Sequence, residues 1–157
     1  MSSAFVKEPE GGEAFEDLPD RPISPHPNFV TPEGFSRIEA ELERLHREHA
    51  AAQEADDKAS LARTARDLRY WTARRNTAQV VTPPADAAEA HFGSTVTIER
   101  EDGRRQTFRI VGEDEADPAH GSVSYVSPLA RALAGKSVGD VAQVAGGEVE
   151  LVAVRHG

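Results

Sequence analysis

The sequence predicts an α+β protein, in which an antiparallel helical hairpin (coiled coil) is followed by a small antiparallel sheet domain that carries one short helix. In the first half of the 157-residue chain, apolar residues recur at alternating spacings of three and four, which is typical of a coiled coil. In the second half they alternate with polar residues, which is typical of half-buried strands. The change of period predicts two structural units.

The first helix of the hairpin is predicted to begin just after Thr31. Thr31 is a good N-cap, and Pro32 suits the first helical position because the N–H that proline lacks would have no helical partner there. The apolar residues that follow form a stripe along one face. They are Phe35, Ile38, Leu42 and Leu45, and the same spacing continues to His49 and Ala52.

A second helix is predicted from about Ser60 to Val80, and the prolines that follow end it. Its apolar face carries Leu61, Ala65 and Leu68. The connection between the helices is too short for anything but an antiparallel hairpin.

The two predicted helices carry opposite charge. Residues 33–54 hold six acids and three bases, whereas residues 58–75 hold six bases and one acid. Ion pairs between the helices would set the register of the hairpin more than its stability. The row of Arg63, Arg66 and Arg69 has two interpretations: it pairs with the first helix, or it faces an acidic partner.

The second half of the chain contains two strong turn signals and one helix signal. Asp102-Gly103 and Gly146-Gly147 each predict a tight hairpin turn. Ser127 is expected to cap a short helix that has Pro128 in its first turn. The predicted strands are residues 94–100, 104–111, 122–126, 141–144 and 148–154.

Composition divides the chain into four parts. Residues 1–30 are acidic and rich in proline, which excludes its neighbours from helix, so they are predicted to form an extended arm. Residues 31–82 form the hairpin, residues 83–91 a linker, and residues 92–157 the sheet domain.

Composition also argues against several classes of function. The net charge of −9 argues against strong direct binding to nucleic acid or to an anionic membrane, because such binding uses Lys and Arg. The absence of cysteine excludes disulfides and thiolate metal sites. No segment suits a membrane span or a signal peptide, so a cytoplasmic protein is expected. No catalytic motif is recognisable, so no catalytic residue is predicted.

Three carboxylates, those of Glu54, Asp56 and Asp57, lie at the predicted bend of the hairpin. Carboxylate oxygens are the ligands that hard divalent cations prefer, so one interpretation is a metal-holding tip. The other is an ordinary solvated turn. Lys58 follows Asp57 directly, and its positive charge weakens a cation site at this position.

Several segments of the chain resemble one known family. FGSTVTI, RIVGEDEAD and SPLARALAGKSVGD occur in this order between residues 92 and 140. Together they resemble the C-terminal domain of the bacterial Gre family of transcription elongation factors. FVTPEGFSRIEAELERL and NTAQVV resemble the start and the end of that family's N-terminal coiled coil. The resemblance covers residues 29–156 and leaves most of the arm outside.

The resemblance implies an FKBP-like sheet domain that docks on bacterial RNA polymerase and a coiled coil that enters the secondary channel of the polymerase. In that family, acids at the coiled-coil tip hold a magnesium ion beside the catalytic one, and the polymerase then hydrolyses its own backtracked RNA. The protein is therefore expected to be an accessory factor, not an enzyme, and a monomer. No cofactor is expected to bind stably, since the only metal implied is Mg²⁺ shared with the polymerase.

The resemblance also supplies candidate binding residues on the sheet domain. Because the family contacts the polymerase at this end of the domain, the candidates are Asp114, Asp117, Ser127 and Pro128. We expect the two aspartates to be exposed. Helix capping alone would explain Ser127 and Pro128.

The tip of the hairpin departs from the family pattern. The usual GD…ENAEY element is absent, and the hairpin is roughly twenty residues short, which at 1.5 Å per residue along two arms removes about 15 Å of reach. Three functions remain open: a polymerase-binding regulator without strong cleavage stimulation, a cleavage stimulator that uses the tip acids, and a polymerase-independent interaction module. Reach and tip chemistry favour the first.

Overall fold

The computed structural model describes residues 18–85 and 88–156 and confirms the α+β fold class. Most of the predicted arm and two residues of the predicted linker lie outside this description. The chain divides into two compact units. Of the described residues, one unit comprises 18–25 and Arg37–Thr77, and the other comprises His26–Ser36, 78–85 and 88–156.

The first helix, α1, spans Pro32–Ala55, and the second, α2, spans Lys58–Thr77. As predicted for α1, Ile38, Leu45 and Ala52 are buried. The predicted face of α2 is only half-buried, and its fully buried residues are different ones. They are Ala62, Thr64 and Arg74.

Thr64 is a polar residue inside the hairpin, and its hydroxyl group is fully used there. It donates to the Ser60 carbonyl at 2.8 Å. It therefore accepts the hydrogen bond from His49, whose Nδ1 lies 2.6 Å away. This arrangement assigns the Nδ1–H tautomer to the imidazole when it is neutral, and it explains why the stripe of α1 tolerates a histidine.

The prediction that α2 continues to Val80 is wrong. The helix ends at Thr77, and strand β2 (Gln79–Val80) pairs in parallel with strand β1 (Phe29–Val30). The Gln79 N–H donates to the Asn28 carbonyl at 2.9 Å. The β-branched Val80 and Val81 before a Thr-Pro pair favour extended backbone, and this preference is stronger here than the helical pattern.

The sheet domain contains five strands, which are β3 (Ser94–Arg100), β4 (Arg105–Val111), β5 (Ser122–Ser124), β6 (Val141–Val144) and β7 (Gly147–His156). Their order in the sheet is β5-β4-β3-β7-β6. Strand β3 pairs antiparallel with β4 and with β7, and β6 pairs antiparallel with β7.

The prediction of a purely antiparallel sheet is wrong, because β5 runs parallel to β4. A hairpin needs a short loop, whereas the connection here includes a 3₁₀ turn at Pro118–His120. This longer connection carries the chain back, so that β5 begins beside Arg109.

One short helix, α3 (Pro128–Leu133), covers the core of the sheet domain. Leu133 from this helix is buried together with Ile98 and Leu151 from the two central strands. The alternation of strand β3 is as predicted, with every second residue buried from Ser94 to Ile98. The sheet core is therefore built from one face of the strands and one face of α3.

Candidate functional site

The tip of the hairpin is a tight, fully hydrogen-bonded connection between two helices. Asp56 adopts a left-handed conformation with φ of 53°. Its N–H donates to the Gln53 carbonyl at 3.2 Å, and the Asp57 N–H donates to the Ala52 carbonyl at 3.0 Å. These two bonds form a Schellman motif, in which Asp56 takes the position that glycine usually occupies. The main chain of Asp56 and Asp57 therefore closes the end of α1.

Asp57 is also the N-cap of α2. Its Oδ1 accepts from the Ser60 N–H at 3.2 Å, and its Oδ2 accepts from the Ser60 hydroxyl at 2.8 Å. The hydrogen bond from the Ser60 side chain is the main cause that holds the pKa of Asp57 below its ordinary value of 3.8. Both carboxylate oxygens therefore accept hydrogen bonds from the first turn of α2.

Two of the three tip acids already have protein partners in this arrangement. Asp57 is occupied by Ser60, and Asp56 forms an ion pair with Lys58, with Oδ1 and Nζ 3.1 Å apart. Glu54 is exposed in the last turn of α1. Within residues 18–85 and 88–156, no group of three or more His, Asp or Glu side chains has a metal-holding arrangement.

We expect Asp57→Asn to keep the helix cap but to remove part of the acid sensitivity of the protein. A carboxyl group with a lowered folded pKa stabilises the fold above its unfolded value of 3.8 and stops doing so as pH falls through the folded pKa. Asparagine caps equally well and does not titrate. Melting temperatures between pH 7 and pH 2 should thus fall less for Asp57→Asn than for wild type, whereas Asp57→Ala should melt lower even at pH 7. Parallel pH profiles for wild type and Asp57→Asn would contradict this.

The basic row of α2 does not act as one surface. Arg63 pairs with Glu48 of α1, as the first interpretation expects, and this contact is the main cause that lowers the pKa of Glu48. Arg44 also binds Glu48, with Nη1 and Oε1 2.9 Å apart. Near the other end of the hairpin, Arg75 pairs with Glu39 at 3.3 Å. Acid–base pairs thus link the two helices, consistent with a role in register.

The other two arginines of the row have different partners. Arg66 pairs with Asp67, its neighbour in α2, with Nε and Oδ1 3.3 Å apart. Arg69 pairs with Asp20 of the arm, with Nε and Oδ1 2.5 Å apart, and its Nη2 donates to the Leu18 carbonyl at 3.1 Å. The row is therefore divided between α1, α2 itself and the arm.

The four candidate residues on the sheet domain differ in environment. Asp117 is exposed as predicted, and its Oδ2 lies 2.8 Å from His120 Nδ1. Asp114 is half-buried, so the expectation that it is exposed is wrong. Ser127 caps α3 by accepting from the Ala130 N–H at 3.2 Å, and Pro128 follows in the first turn. The capping explanation of Ser127 and Pro128 is therefore sufficient for both.

Sequence reasoning missed the most connected acid of this region, Glu115. One oxygen of its carboxylate accepts from the Thr31 N–H at 2.8 Å and from the Gly112 N–H at 3.2 Å. The other oxygen accepts from the Thr31 hydroxyl. That hydroxyl in turn accepts from the Gly34 N–H at 2.9 Å, which is the N-cap bond of α1.

Glu115 completes a capping box from a distance of 84 residues. In a local box, the third helical residue is Glu or Gln and accepts from the N-cap N–H. That position is Gly34 here, and a Cβ on Gly34 would lie closer than 3.0 Å to the Glu115 carboxylate. The absence of Glu or Gln at the third helical position, residue 34, was the available signal that the carboxylate comes from elsewhere in the chain.

Aromatic side chains hold the same segment of the sheet unit. Phe29 of β1 packs on Phe92 and Tyr125, with ring centroids 6.1 and 5.2 Å apart. The Tyr125 hydroxyl donates to the Pro27 carbonyl. Arg109 binds Glu33 in the first turn of α1, at 3.3 Å. Residues 113–117, the acidic loop, and the aromatic side chains near it therefore anchor the start of α1 in the sheet unit.

The chain thus has a two-helix hairpin followed by a five-stranded sheet that one helix covers. Known proteins of similar sequence identify the class to which it belongs. Residues 85–155 match the family model of the C-terminal domain of the transcription elongation factors GreA and GreB. The chain is 34% identical over 129 residues to transcription elongation factor GreB of Pseudomonas aeruginosa, covering 70% of this chain and 77% of that protein. For GreB of Xanthomonas axonopodis pv. citri the identity is 39% over 132 residues, covering 71% and 79%.

The chain belongs to the GreA/GreB family of transcription elongation factors. Among solved structures, the GreA factor homolog 1 (Gfh1) of Thermus thermophilus aligns with a TM-score of 0.40 and 22% identity, over 84% of this chain and 100% of that one. No helix in the described part of the chain is long and apolar enough to cross a membrane.

The alignment to GreB also measures a shortening. Seventy per cent of 157 residues is about 110, whereas the alignment to the Pseudomonas protein runs over 129 residues. About 19 aligned positions therefore have no residue in this chain. This number is similar to the roughly twenty residues by which the hairpin is expected to be shorter than the family pattern.

Proposed function

We propose that this Gre-family protein binds bacterial RNA polymerase, places its hairpin in the secondary channel, and regulates elongation without strongly stimulating transcript cleavage. The observation that carries the proposal is the tip. Asp57 caps a helix and Asp56 forms an ion pair, and no metal-holding group of three or more His, Asp or Glu side chains lies among the described residues. Carboxylates can assist hydrolysis by holding a second hard cation near the first, and we expect these tip acids to contribute little in this way.

The length of the hairpin supports the same proposal. Helix α2 has 20 residues, which is about 30 Å at 1.5 Å per residue. A shortening of roughly ten residues in each helix of the hairpin removes about 15 Å of reach. Carboxylates help a magnesium ion only by direct or water-bridged contact, so side-chain motion does not make up this distance.

The decisive experiment is a transcript-cleavage assay on stalled, backtracked polymerase complexes. We expect the wild-type protein to give little cleavage above the intrinsic rate, and the triple variant Glu54→Gln, Asp56→Asn, Asp57→Asn to give the same. This variant removes all three charges, while asparagine still supports the left-handed residue and the N-cap. A loss of helicity is therefore not expected, and circular dichroism provides the control.

A competition assay completes the test. Added in excess to a cleavage-competent Gre factor, the wild-type protein should reduce cleavage, because both would occupy the same channel. Strong cleavage by wild type that the triple variant lacks would show that the tip acids are functional and that the proposal is wrong. No competition at saturating concentration would show that the protein does not occupy the channel.

A further inference from the structure

The arm segment, residues 18–25, contacts α2 through two consecutive charged residues. Arg21 is the inner one. Its Nη1 lies 3.3 Å from Asp67 Oδ1, and its guanidinium carbon lies 4.0 Å from the centre of the Tyr70 ring. The Asp67 side chain is only 16% exposed. A cation held between a shielded carboxylate and an aromatic face is an anchor for the arm segment.

Asp20 makes the outer contact, with Arg69. The Asp20 side chain is 73% exposed and that of Arg69 is 48% exposed, so water and salt compete for this ion pair. Arg69 also donates to the Leu18 carbonyl. The outer contact therefore combines a carboxylate with a main-chain carbonyl on one guanidinium, and it is the exchangeable part of the arm contact.

We propose that the face of α2 centred on Arg69 is a docking surface for an acidic, extended polypeptide segment of a partner, and that the arm segment masks it in the free protein. We expect the partner segment to offer the same groups to Arg69 as the arm segment does. Arg69 recognises it by a side-chain carboxylate and a backbone carbonyl together, and a polypeptide offers both groups at this spacing. Prolines 19, 22 and 25 favour an extended backbone in the arm segment.

Charge explains why an acidic segment is the occupant. The one acid of residues 58–75, Asp67, is already shared by Arg21 and Arg66, so the carboxylate that Arg69 contacts comes from the arm segment. An incoming acidic segment replaces Asp20 on Arg69 without having to displace a buried group. If the arm is seated about nine-tenths of the time, the apparent affinity for the partner falls about tenfold.

The first test uses a fluorescein-labelled peptide with the sequence of residues 18–27 as the probe, added to the full-length chain. Arg21→Ala in the protein removes the anchor of the arm but leaves Arg69 in place. Anisotropy should show about tenfold tighter binding of the peptide to Arg21→Ala than to wild type. The double variant Arg21→Ala, Arg69→Ala should lose this gain. Arg47→Ala, which removes a 71% exposed charge from α1, is the matched control and should equal wild type.

Equal peptide binding by wild type and Arg21→Ala, or a gain that survives the loss of Arg69, would overturn the proposal. Polymerase binding gives the second readout, and only this readout rests on the proposed function. There, Arg21→Ala should bind about tenfold tighter than wild type, and Arg69→Ala should bind more weakly. If the peptide results hold while wild type does not bind polymerase, the proposed function fails and the masked surface stands. If Arg21→Ala and Arg69→Ala bind polymerase as wild type does, the acidic segment belongs to another partner.

Discussion

Replacing Gly34 with alanine should destabilise the wild-type chain but stabilise a chain that carries Glu115→Ala. In wild type, the new Cβ would lie closer than 3.0 Å to the Glu115 carboxylate and displace it. The buried Thr31 N–H and the Gly112 N–H then lose a charged acceptor, which costs about 1–3 kcal/mol of unfolding free energy. Without Glu115 the clash is absent, and alanine is worth about 0.5–1 kcal/mol more than glycine in a helix.

A double-mutant cycle measured by urea denaturation tests this reversal of sign. Glu115→Ala alone should cost about 2–3 kcal/mol, because it leaves the N-cap N–H of α1 without its partner. Glu115→Gln, which keeps an acceptor oxygen but not the charge, should cost less than Glu115→Ala. If Gly34→Ala has the same effect in both backgrounds, the Glu115 carboxylate does not occupy the space beside Gly34; if Glu115→Ala costs nothing, the remote capping box is not a source of stability.

Replacing Gly112 with alanine should destabilise the sheet domain by about 1–3 kcal/mol. A Cβ at this position would overlap the main-chain carbonyl of Phe29, a backbone atom that cannot rotate away. Strand β1 would have to move, and with it the two-stranded pairing to β2. Urea denaturation provides the free energy, and the near-ultraviolet circular dichroism of the Phe29–Tyr125 contact reports whether β1 has shifted.

Gly103→Asn is the control for the Gly112 variant. Gly103 has φ of 89° with open space around its Cα, and asparagine tolerates the left-handed region. Gly112 is not in that region, so its substitution tests steric overlap and not backbone strain. A Gly112→Ala variant as stable as the Gly103→Asn variant would contradict the close approach of β1.

The fold was predictable wherever local patterns decide it. The period of α1, the alternation of β3 and the Ser127 cap depend on neighbouring residues, and the structure places these as expected. The end of α2 was not predictable in this way. The pairing of Gln79 with Phe29 joins two short segments about fifty residues apart, and neither has a strand pattern of its own.

The candidate sites were predictable only as residue types. The sequence indicates an acidic tip and an acidic loop, but it does not indicate which carboxylate is already occupied. Asp57 and Glu115 have structural partners, Ser60 and Thr31, whereas Asp117 remains exposed. The distinction depends on distances across the fold, and for Glu115 the partner is 84 residues away.

The remote capping box also bears on the order in which the chain folds. Closing a loop of 84 residues has an entropic cost that a local capping box avoids, so we expect Thr31 to gain its carboxylate only after the turn that carries Glu115, between β4 and β5, is in place. Helix nucleation is itself unfavourable, and the first turn of α1 lacks one of the groups that usually assist it. The middle of α1 can therefore form early through its packing on α2, while its first turn is completed late, when the sheet domain has folded.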